Sequence, residues 1–488
     1  MHYLHSKPVL TLLFLSILSL NCLSAQSLED FCGTTPYPVS STDLILKRHK
    51  DIENFTKNSR KTDVWIPVQF HIGGNDDSTG YYTIDNLMTL ICNWNKRYEP
   101  VGFKFYLYDM PIYFNKTLYY DHTQQEGYNM IQNYNINNVM NVYLVGNPKG
   151  VCGYAYYPGA GPRQGAVVLK NSCALSSSTT IDHEAGHYFN LPHTFSGWEG
   201  LDTNAAFPPN TEYVNGSNCQ FTGDNFCDTR ADFISDRWYC PYSWNFRDPN
   251  GDLYNPDEGL YMSYSTDNCQ KYFSLSQINA MNYSLQYDRN YLISPPAPDT
   301  VTPIPPELTY PVNDDTIPAY PVTFHWRKSE GAMFYILTHQ KGTGAFKRTF
   351  VTTDTFFTST FIFKYQYYKW RWKVQAISQT NTCTDLAEST FVTDTNLVAP
   401  VSENYFEPLD ENPPILVYSN KKIKIINFQK NLPLSMELYN LQGQRVVFIN
   451  ANSSNEFIFD VRNIKSGLYF VKLSCKGKII MISKISMF

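Results

Sequence analysis

The chain has 488 residues, more than one ordinary domain holds, and an apolar content of 43% that can build several cores. Its formal net charge is −5 and its basic residues form no block, so no nucleic-acid partner is expected. The 37 tyrosines and 31 phenylalanines favour β-rich structure.

Residues 1–25 predict a secretory signal peptide that is cleaved near Ala25. An apolar run from Val9 to Leu20 follows Lys7, and small residues follow the run. The run is shorter than the ~20 residues that a membrane-spanning helix needs, and no later stretch is long and apolar enough to form one. We therefore expect a secreted or cell-surface protein with no transmembrane helix, whose cysteines form disulfides.

Strand-like and helix-like stretches alternate from residue 61 to residue 293, behind a short polar pro-segment at residues 26–60. The predicted strands cover residues 64–72, 103–108, 139–145, 153–157 and 166–169. The predicted helices cover residues 83–98 and 276–292, and a third begins near residue 178. This order predicts an α/β (α+β) domain built on a twisted, mostly parallel sheet.

The character of the sequence changes at residues 294–306, a proline-rich stretch that predicts a semi-rigid linker. Residues 307–394 alternate polar and apolar side chains, for example over Tyr368–Val374, which predicts a β-sandwich of fibronectin type III. Residues 395–488 predict a further all-β domain. The middle sandwich shows no site, so a spacer and a substrate-binding module both stay open.

The segment HEAGHYFNLPH at residues 183–193 points to metal chemistry. His183 and His187 are four residues apart, so a helix places both imidazoles on one face, where they can bind Zn²⁺. Glu184 lies beside that face, where its carboxylate can accept a proton from a water next to the metal. The two histidines are therefore predicted ligands and Glu184 the predicted general base.

His193 can be the third ligand only if the chain turns sharply after Phe189. Pro192 opposes a continuing helix. A residue in the left-handed conformation would end the helix and turn the chain back, and asparagine suits this conformation best after glycine. Asn190 stands at that place, so a site of three histidines is predicted.

This extended motif resembles the signature of the metzincin zinc metallopeptidases, and further segments are similar to the pappalysin (cytophagalysin-like) family of that clan. Those segments are His193–Phe195, Gly223–Thr229 and Tyr261–Cys269, the last followed by Phe273–Gln277. The likeness covers about residues 60–290. The main departure is Asn190, where glycine is commoner.

The resemblance implies three further roles. Met262 would lie beneath the metal as an apolar cushion, and Tyr264 would stabilise the oxyanion of the reaction. Asp267 would wall the primed-side specificity pocket, where a carboxylate favours a basic residue after the scissile bond. The alternatives are a packed aromatic residue for Tyr264 and a solvated loop aspartate for Asp267.

We also predict disulfides and calcium ligands among the cysteines and acidic residues of the same region. The resemblance implies a Cys227–Cys269 bridge, and Cys219–Cys240 would then form a second one. Cys152 and Cys173 could pair across an edge hairpin. The family binds structural Ca²⁺ in this region, where Asp224 and Asp228 could supply oxygen ligands. Ordinary turn aspartates are the alternative.

The segment Cys32-Gly-Thr34 is similar to the cysteine switch of pappalysin-type zymogens. A thiolate there could occupy the open position of the zinc until the segment is removed. A structural disulfide between Cys32 and Cys92 is the alternative.

The end of the chain resembles the C-terminal sorting domain of bacterial type IX secretion, through Leu438–Arg445 and Ile464–Lys472. The usual opening Tyr-Pro-Asn-Pro is changed to YSNK from Tyr418, and the final basic residue is missing at Phe488. The resemblance implies the secretion machinery as a partner. A second adhesive β-sandwich is the alternative.

Together these features predict a secreted zinc endopeptidase that hydrolyses peptide bonds of extracellular proteins. One alternative is an exported adhesin with an inactive protease domain, which the complete set of ligands and base disfavours. The other is a zinc enzyme with a different substrate, such as an aminopeptidase. Those enzymes more often take a glutamate on a later helix as third ligand, whereas His193 is local.

Overall fold

The computed structural model describes residues 31–36, 41–58, 63–397 and 415–487, with gaps inside the last two ranges. Those gaps are residues 202–203, 205, 319–321, 343, 360–367, 396, 420–421, 427–433, 440–444, 452–456, 463, 465–466 and 476–477. The predicted signal peptide lies outside the described residues. The chain divides into two compact units, Met1–Asp394 and Thr395–Phe488.

The first part of the first unit mixes helices and strands. Its helices are α1 (Thr42–Asn58), α2 (Ile84–Tyr98), α3 (Thr117–Tyr120), α4 (Gln124–Tyr134), α5 (Thr180–Tyr188) and α6 (Leu275–Tyr287). Its strands are β1 (Val64–Gly74), β2 (Phe103–Leu107), β3 (Ile112–Asn115), β4 (Asp121–His122), β5 (Met140–Val145), β6 (Asn147–Pro148), β7 (Gly153–Ala155) and β8 (Val167–Lys170). Short 3-10 turns cover Glu99–Val101, Asn171–Cys173 and Asn290–Ile293.

The central sheet has the strand order β2-β1-β5-β8-β7, and β3 continues beside β1 beyond β2. All of these pairs are parallel except β7, which runs antiparallel to β8 and forms one edge. The mostly parallel sheet predicted from the sequence is therefore present.

Helix α2 covers one face of this sheet because its apolar residues recur at helical spacing. Its Thr83 cap accepts a hydrogen bond from the backbone of Asn86. Leu87 and Trp94 are buried, and the Trp94 ring stacks on Phe105 with centroids 3.5 Å apart. Helix α5 packs against β7 and β8, so the metal-binding segment lies beside the edge strand.

Disulfides hold the loops between α5 and α6, but not in the expected pairs. Cys219 bonds to Cys227, and Cys240 bonds to Cys269, so Cys227–Cys269 and Cys219–Cys240 are wrong. Cys219 and Cys227 face each other across one short loop, with Cα atoms 5.1 Å apart. Cys240 follows Trp238, which pairs with the segment just before Cys269.

The third expected bridge, Cys152–Cys173, is present. It joins the residue before β7 to the end of the turn that follows β8. The edge of the sheet next to α5 is therefore fixed covalently.

The rest of the first unit is a β-sandwich. Its strands are β9 (Leu308–Tyr310), β10 (Asp315–Pro318), β11 (Val322–Trp326), β12 (Phe334–Lys341), β13 (Ala345–Thr352), β14 (Phe356–Ser359), β15 (Tyr368–Ile377) and β16 (Leu386–Asp394). They form one sheet of order β10-β16-β15-β12-β13 and another of order β14-β11-β9. Buried aromatic residues such as Trp326, Trp370 and Trp372 fill the space between them.

The sandwich packs directly on the α/β part, within the same compact unit. Cys383 of the sandwich bonds to Cys92 of α2, which excludes the alternative Cys32–Cys92 bridge. Phe334, Ile336 and Ile377 belong to the same hydrophobic core as the central sheet. The proline-rich stretch therefore joins two parts of one compact unit.

The described residues of the second unit form β-strands. Its strands are β17 (Ile415–Ser419), β18 (Lys422–Ile426), β19 (Leu434–Tyr439), β20 (Arg445–Ala451), β21 (Phe457–Asp460), β22 (Gly467–Cys475) and β23 (Lys478–Met487). They form sheets of order β17-β18-β21 and β20-β19-β22-β23. In the part of the chain that the structure describes, no helix is long and apolar enough to cross a bilayer.

Candidate metal centre

Three imidazoles converge on one point beside α5. Nε2 of His187 lies 3.1 Å from Nε2 of His183 and 3.0 Å from Nε2 of His193. The ligand atoms of these residues and the thiol of Cys32 all lie within 4.8 Å of one another. Nitrogens that bind one tetrahedral ion at ~2.0–2.1 Å are ~3.3 Å apart, so this spacing suits a shared metal ion.

The other ring nitrogen of each histidine faces a hydrogen-bond acceptor. Nδ1 of His183 lies 2.7 Å from Tyr261 O, Nδ1 of His187 lies 2.8 Å from Leu191 O, and Nδ1 of His193 lies 3.3 Å from Glu199 Oε1. Each Nδ1 therefore carries the proton, and the three Nε2 lone pairs face one another. That arrangement is repulsive without a cation. Sequence reasoning missed Glu199, which belongs to no motif.

The turn that delivers His193 forms at Asn190. This residue has φ +75°, the left-handed conformation predicted from the sequence. Its N–H donates to His187 O over 2.8 Å, and the N–H of Leu191 donates to Gly186 O over 2.9 Å. These two bonds satisfy carbonyls at the end of α5 and send the chain back toward the helix.

Met262 packs against the backbone of α5 between the two helical ligands. A Cβ added to Gly186 would lie 2.3 Å from Met262 Sδ. Met262 is fully buried, and its carbonyl accepts a hydrogen bond from Thr194 N over 3.2 Å. The methionine therefore supports the helix from below and ties the turn to the segment after His193.

Glu184 is fully buried beside the three histidines. Burial raises the pKa of its carboxyl to about 8. Its Oε2 accepts a hydrogen bond from Thr34 Oγ1 over 2.9 Å, and its Oε1 has no hydrogen-bond partner among the described residues. One oxygen thus remains available to a small polar ligand.

Tyr264 also faces the histidines. Its ring centroid lies 5.6 Å from that of His183 and 5.0 Å from that of His193. Its hydroxyl donates to the carbonyl of Cys32 over 3.3 Å. Burial raises the pKa of the phenol, so it stays a proton donor at neutral pH.

The Cys32–Thr34 segment lies beside the edge strand β7, where Cys32 forms an isolated parallel β-bridge with Gly153. Gly33 N donates to Gly153 O over 2.8 Å, and Ala155 N donates to Thr34 Oγ1 over 2.8 Å. Cys32 forms no disulfide, and its thiol joins the three imidazoles. The segment therefore occupies both the metal centre and the edge where an extended peptide could pair.

Helix α1 of the predicted pro-segment lies against α6, which the sequence did not predict. Arg48 forms an ion pair with Asp288 at 3.4 Å and lies over the Tyr283 ring at 5.7 Å. Phe55 contacts the rings of Tyr283 and Tyr287, each with centroids 6.0 Å apart. The pro-segment is thus held by a helix as well as by the cleft.

Asp267 is not an open pocket carboxylate. It is 33% exposed and forms an ion pair with Arg237, which is 11% exposed. It also accepts a hydrogen bond from Thr179 Oγ1 over 3.0 Å. The charge that was expected to attract a basic substrate side chain is therefore already paired.

Asp224 and Asp228 do not share a site. Asp228 accepts bonds from Ser274 Oγ over 2.9 Å and from Ser276 N over 2.8 Å, so it caps the start of α6. Asp224 is buried near Glu212, and each has one carboxylate oxygen without a hydrogen-bond partner among the described residues. Burial raises the pKa of Glu212 to about 9 and that of Asp224 to about 8.

Comparisons with known proteins gave two kinds of match, one to a family of domains and one to whole proteins. Residues 418–487 match the family described as the secretion system C-terminal sorting domain. An extracellular metalloprotease of Arthroderma gypseum is 26% identical over 287 residues, which cover 54% of this chain and 86% of that protein. One from Colletotrichum graminicola is 26% identical over 235 residues, which cover 45% and 75%.

The chain carries a secretion sorting domain and resembles extracellular metalloproteases. Export by the type IX route, expected from the C-terminal motifs, is thereby confirmed, and the metalloprotease relatives imply a bound metal. Among solved structures, a mutant of promirolysin from Tannerella forsythia aligns with a TM-score of 0.39 and 19% identity, covering 54% of this chain and 97% of that one.

Proposed function

We propose that the chain is a zinc endopeptidase of the pappalysin type, made as a latent precursor that cleaves extracellular proteins once its pro-segment is removed. The observation that supports this most directly is the convergence of three Nε2 atoms, with the nearest pairs 3.0 and 3.1 Å apart, beside the buried carboxylate of Glu184.

The donor set fits zinc. Burial lowers the pKa of His183 and of His187, so both are neutral and can ligate at physiological pH. Three imidazoles leave a fourth tetrahedral position, which the Cys32 thiol faces here. When bound, zinc polarises the scissile carbonyl and makes water a stronger acid.

Glu184 and Tyr264 would move the protons and hold the charge of the reaction. With zinc bound and the pro-segment gone, the nearby cation would favour the ionised carboxylate of Glu184, which would accept a proton from attacking water and pass it to the leaving amine. The Tyr264 hydroxyl donates to the Cys32 carbonyl in this latent form. After the pro-segment leaves, the same donor is free for the oxyanion of the substrate.

Latency would follow from the contacts of the Cys32–Thr34 segment. The Cys32 thiol faces the fourth metal position. The Thr34 hydroxyl donates a hydrogen bond to Oε2 of Glu184, the proposed base. Its backbone covers the edge of β7. A substrate peptide therefore meets an occupied strand edge and an occupied metal position until the segment is removed.

Structural calcium remains part of the proposal, with a changed ligand set. Asp228 is committed to the cap of α6, so Glu212 replaces it beside Asp224. A Ca²⁺ ion would keep these two buried carboxylates ionised. A chelator should then lower the melting temperature of the wild type, and the paired variant Glu212→Gln/Asp224→Asn should lose that response. An unchanged melting temperature in chelator would contradict the site.

Casein hydrolysis and metal content, measured on the same samples, test the main proposal. The activated wild type should hold one zinc per chain. Glu184→Gln should keep the zinc and lose activity by about 10²–10⁴-fold, because the proton acceptor is gone. The exposed Glu330→Gln variant is the matched control and should behave as the wild type. Equal activity of Glu184→Gln, or a wild type that binds no zinc, would overturn the proposal.

The same variant separates the peptidase from the adhesin alternative. An exported binding protein with a vestigial site would show no hydrolysis in either form. The complete set of ligands, their Nδ1 partners and the inhibitory segment seated on them all favour a working enzyme.

A further inference from the structure

The side chain of Phe31, the residue before Cys32, packs into a pocket next to the three histidines. Phe31 is only 3% exposed. Its ring centroid lies 4.8 Å from that of His183 and 5.4 Å from that of Tyr264, both edge-on. The guanidinium carbon of Arg237 lies 3.8 Å from the Phe31 centroid. We call the space walled by His183, Tyr264 and Arg237 the Phe31 pocket.

Arg237 is a fixed wall of this pocket. The next residue, Trp238, pairs with Ser265, and its N–H donates to Tyr264 O over 3.1 Å. The Arg237 guanidinium itself donates to Ser265 O and to the carboxylate of Asp267. The Cys240–Cys269 disulfide closes the same pair of segments. Arg237 is therefore held in position both by its neighbouring backbone and by its guanidinium group.

This arrangement determines which side chain the pocket accepts. Arg237 neutralises the charge of Asp267 that would attract a lysine or arginine, and a cation in the place of the Phe31 ring would lie against the Arg237 guanidinium. An aromatic ring instead gains a cation–π contact and two edge-on ring contacts, as Phe31 does here.

We propose that the Phe31 pocket is the specificity subsite of the enzyme and that it selects an aromatic residue next to the scissile bond, with Arg237 as the specificity-determining residue. This rests on the proposed peptidase function and replaces the basic preference expected from Asp267. The pro-segment would bind partly because Phe31 presents the side chain that the subsite prefers.

Peptides that differ at one position beside the scissile bond test the proposal on the activated full chain. With Phe, Arg, Glu or Ala at that position, the wild type should cleave the Phe peptide with a kcat/KM roughly tenfold above that of the Arg peptide. Arg237→Gln should lose most of the Phe advantage and gain at least tenfold on the Arg peptide, because Asp267 is released. The double variant Arg237→Gln/Asp267→Asn should lose that gain.

Two comparisons keep the result specific to this pocket. Arg230→Gln removes an equal charge at an exposed site and should leave the profile unchanged. Arg237→Lys keeps the charge but not the planar face, so it should weaken the Phe preference without favouring Arg.

Binding provides a readout without turnover. Calorimetry on activated Glu184→Gln should show the peptide Phe-Cys-Gly-Thr binding more tightly than Arg-Cys-Gly-Thr or Ala-Cys-Gly-Thr. A wild type that prefers the Arg peptides, or a profile that Arg237→Gln leaves unchanged, would overturn the proposal. A zinc-loaded wild type that cleaves no peptide at all would instead contradict the peptidase function.

Discussion

Gly186 and Met262 are in contact, and the contact leaves no room for a side chain at position 186. A Cβ there would lie 2.3 Å from Met262 Sδ and 3.3 Å from its Cε. The glycine between the two helical histidines therefore lets the thioether approach the helix backbone.

Gly186→Ala should destabilise the protein and loosen the metal centre. We expect a loss of about 1–3 kcal/mol in the free energy of unfolding, because the core is overpacked. Thermal unfolding and zinc content measure the effect. In a Met262→Ala background the same substitution should cost much less, and an equal cost in both backgrounds would contradict this explanation.

Thr34→Val should weaken latency while the thiol remains. The variant keeps the side-chain shape but loses the hydroxyl that donates to Glu184 and accepts from Ala155 N. We expect the residual activity of the precursor to rise roughly tenfold, since the buried hydrogen bond to the Glu184 carboxyl is lost. The exposed Thr353 position is not involved, so Thr353→Val is the control. A Thr34→Val precursor as inactive as the wild type would refute the prediction.

Loss of the Cys92–Cys383 bond should destabilise the first unit more than loss of Cys219–Cys227. The bonds join residues 291 and 8 positions apart, and the entropy model predicts about 5–6 against about 2–3 kcal/mol. Paired Cys→Ser variants and chemical unfolding measure both. Equal losses would show that loop length does not govern the effect.

The folded state should lose stability in acid because of His71. Burial lowers the pKa of this imidazole to about 4, below the unfolded value of ~6.5. Its contribution is therefore complete above pH 6.5 and is lost as the pH falls through 4, by about 3 kcal/mol. Unfolding at pH 7, 5.5 and 4 should show a smaller decline for His71→Gln than for the wild type. The exposed His325→Gln variant should decline as the wild type does.

Local chemistry made part of the site predictable. The i, i+4 histidines, the left-handed turn at Asn190 and the third histidine lie within eleven residues, so helix geometry and one local turn bring them together. The parallel sheet followed from the order of apolar runs.

Long-range pairs could not be predicted in the same way. Arg237 and Asp267 are 30 residues apart in loops, and no periodic pattern marks either one. The family resemblance implied an unpaired carboxylate at Asp267 because the motif around it does not include the segment that carries Arg237. Two of the three expected disulfides were wrong for the same reason, since spacing does not show which loops the fold brings face to face.

The Cys92–Cys383 disulfide can form only after both the α/β part and the sandwich have been synthesised. Strand β12 and the end of β15 complete the core beneath α2, so a nascent chain ending near residue 300 has its ligand histidines but an open apolar face. That face stays uncovered until the sandwich has been synthesised, and sealing by oxidation waits until both cysteines have reached the same oxidising compartment.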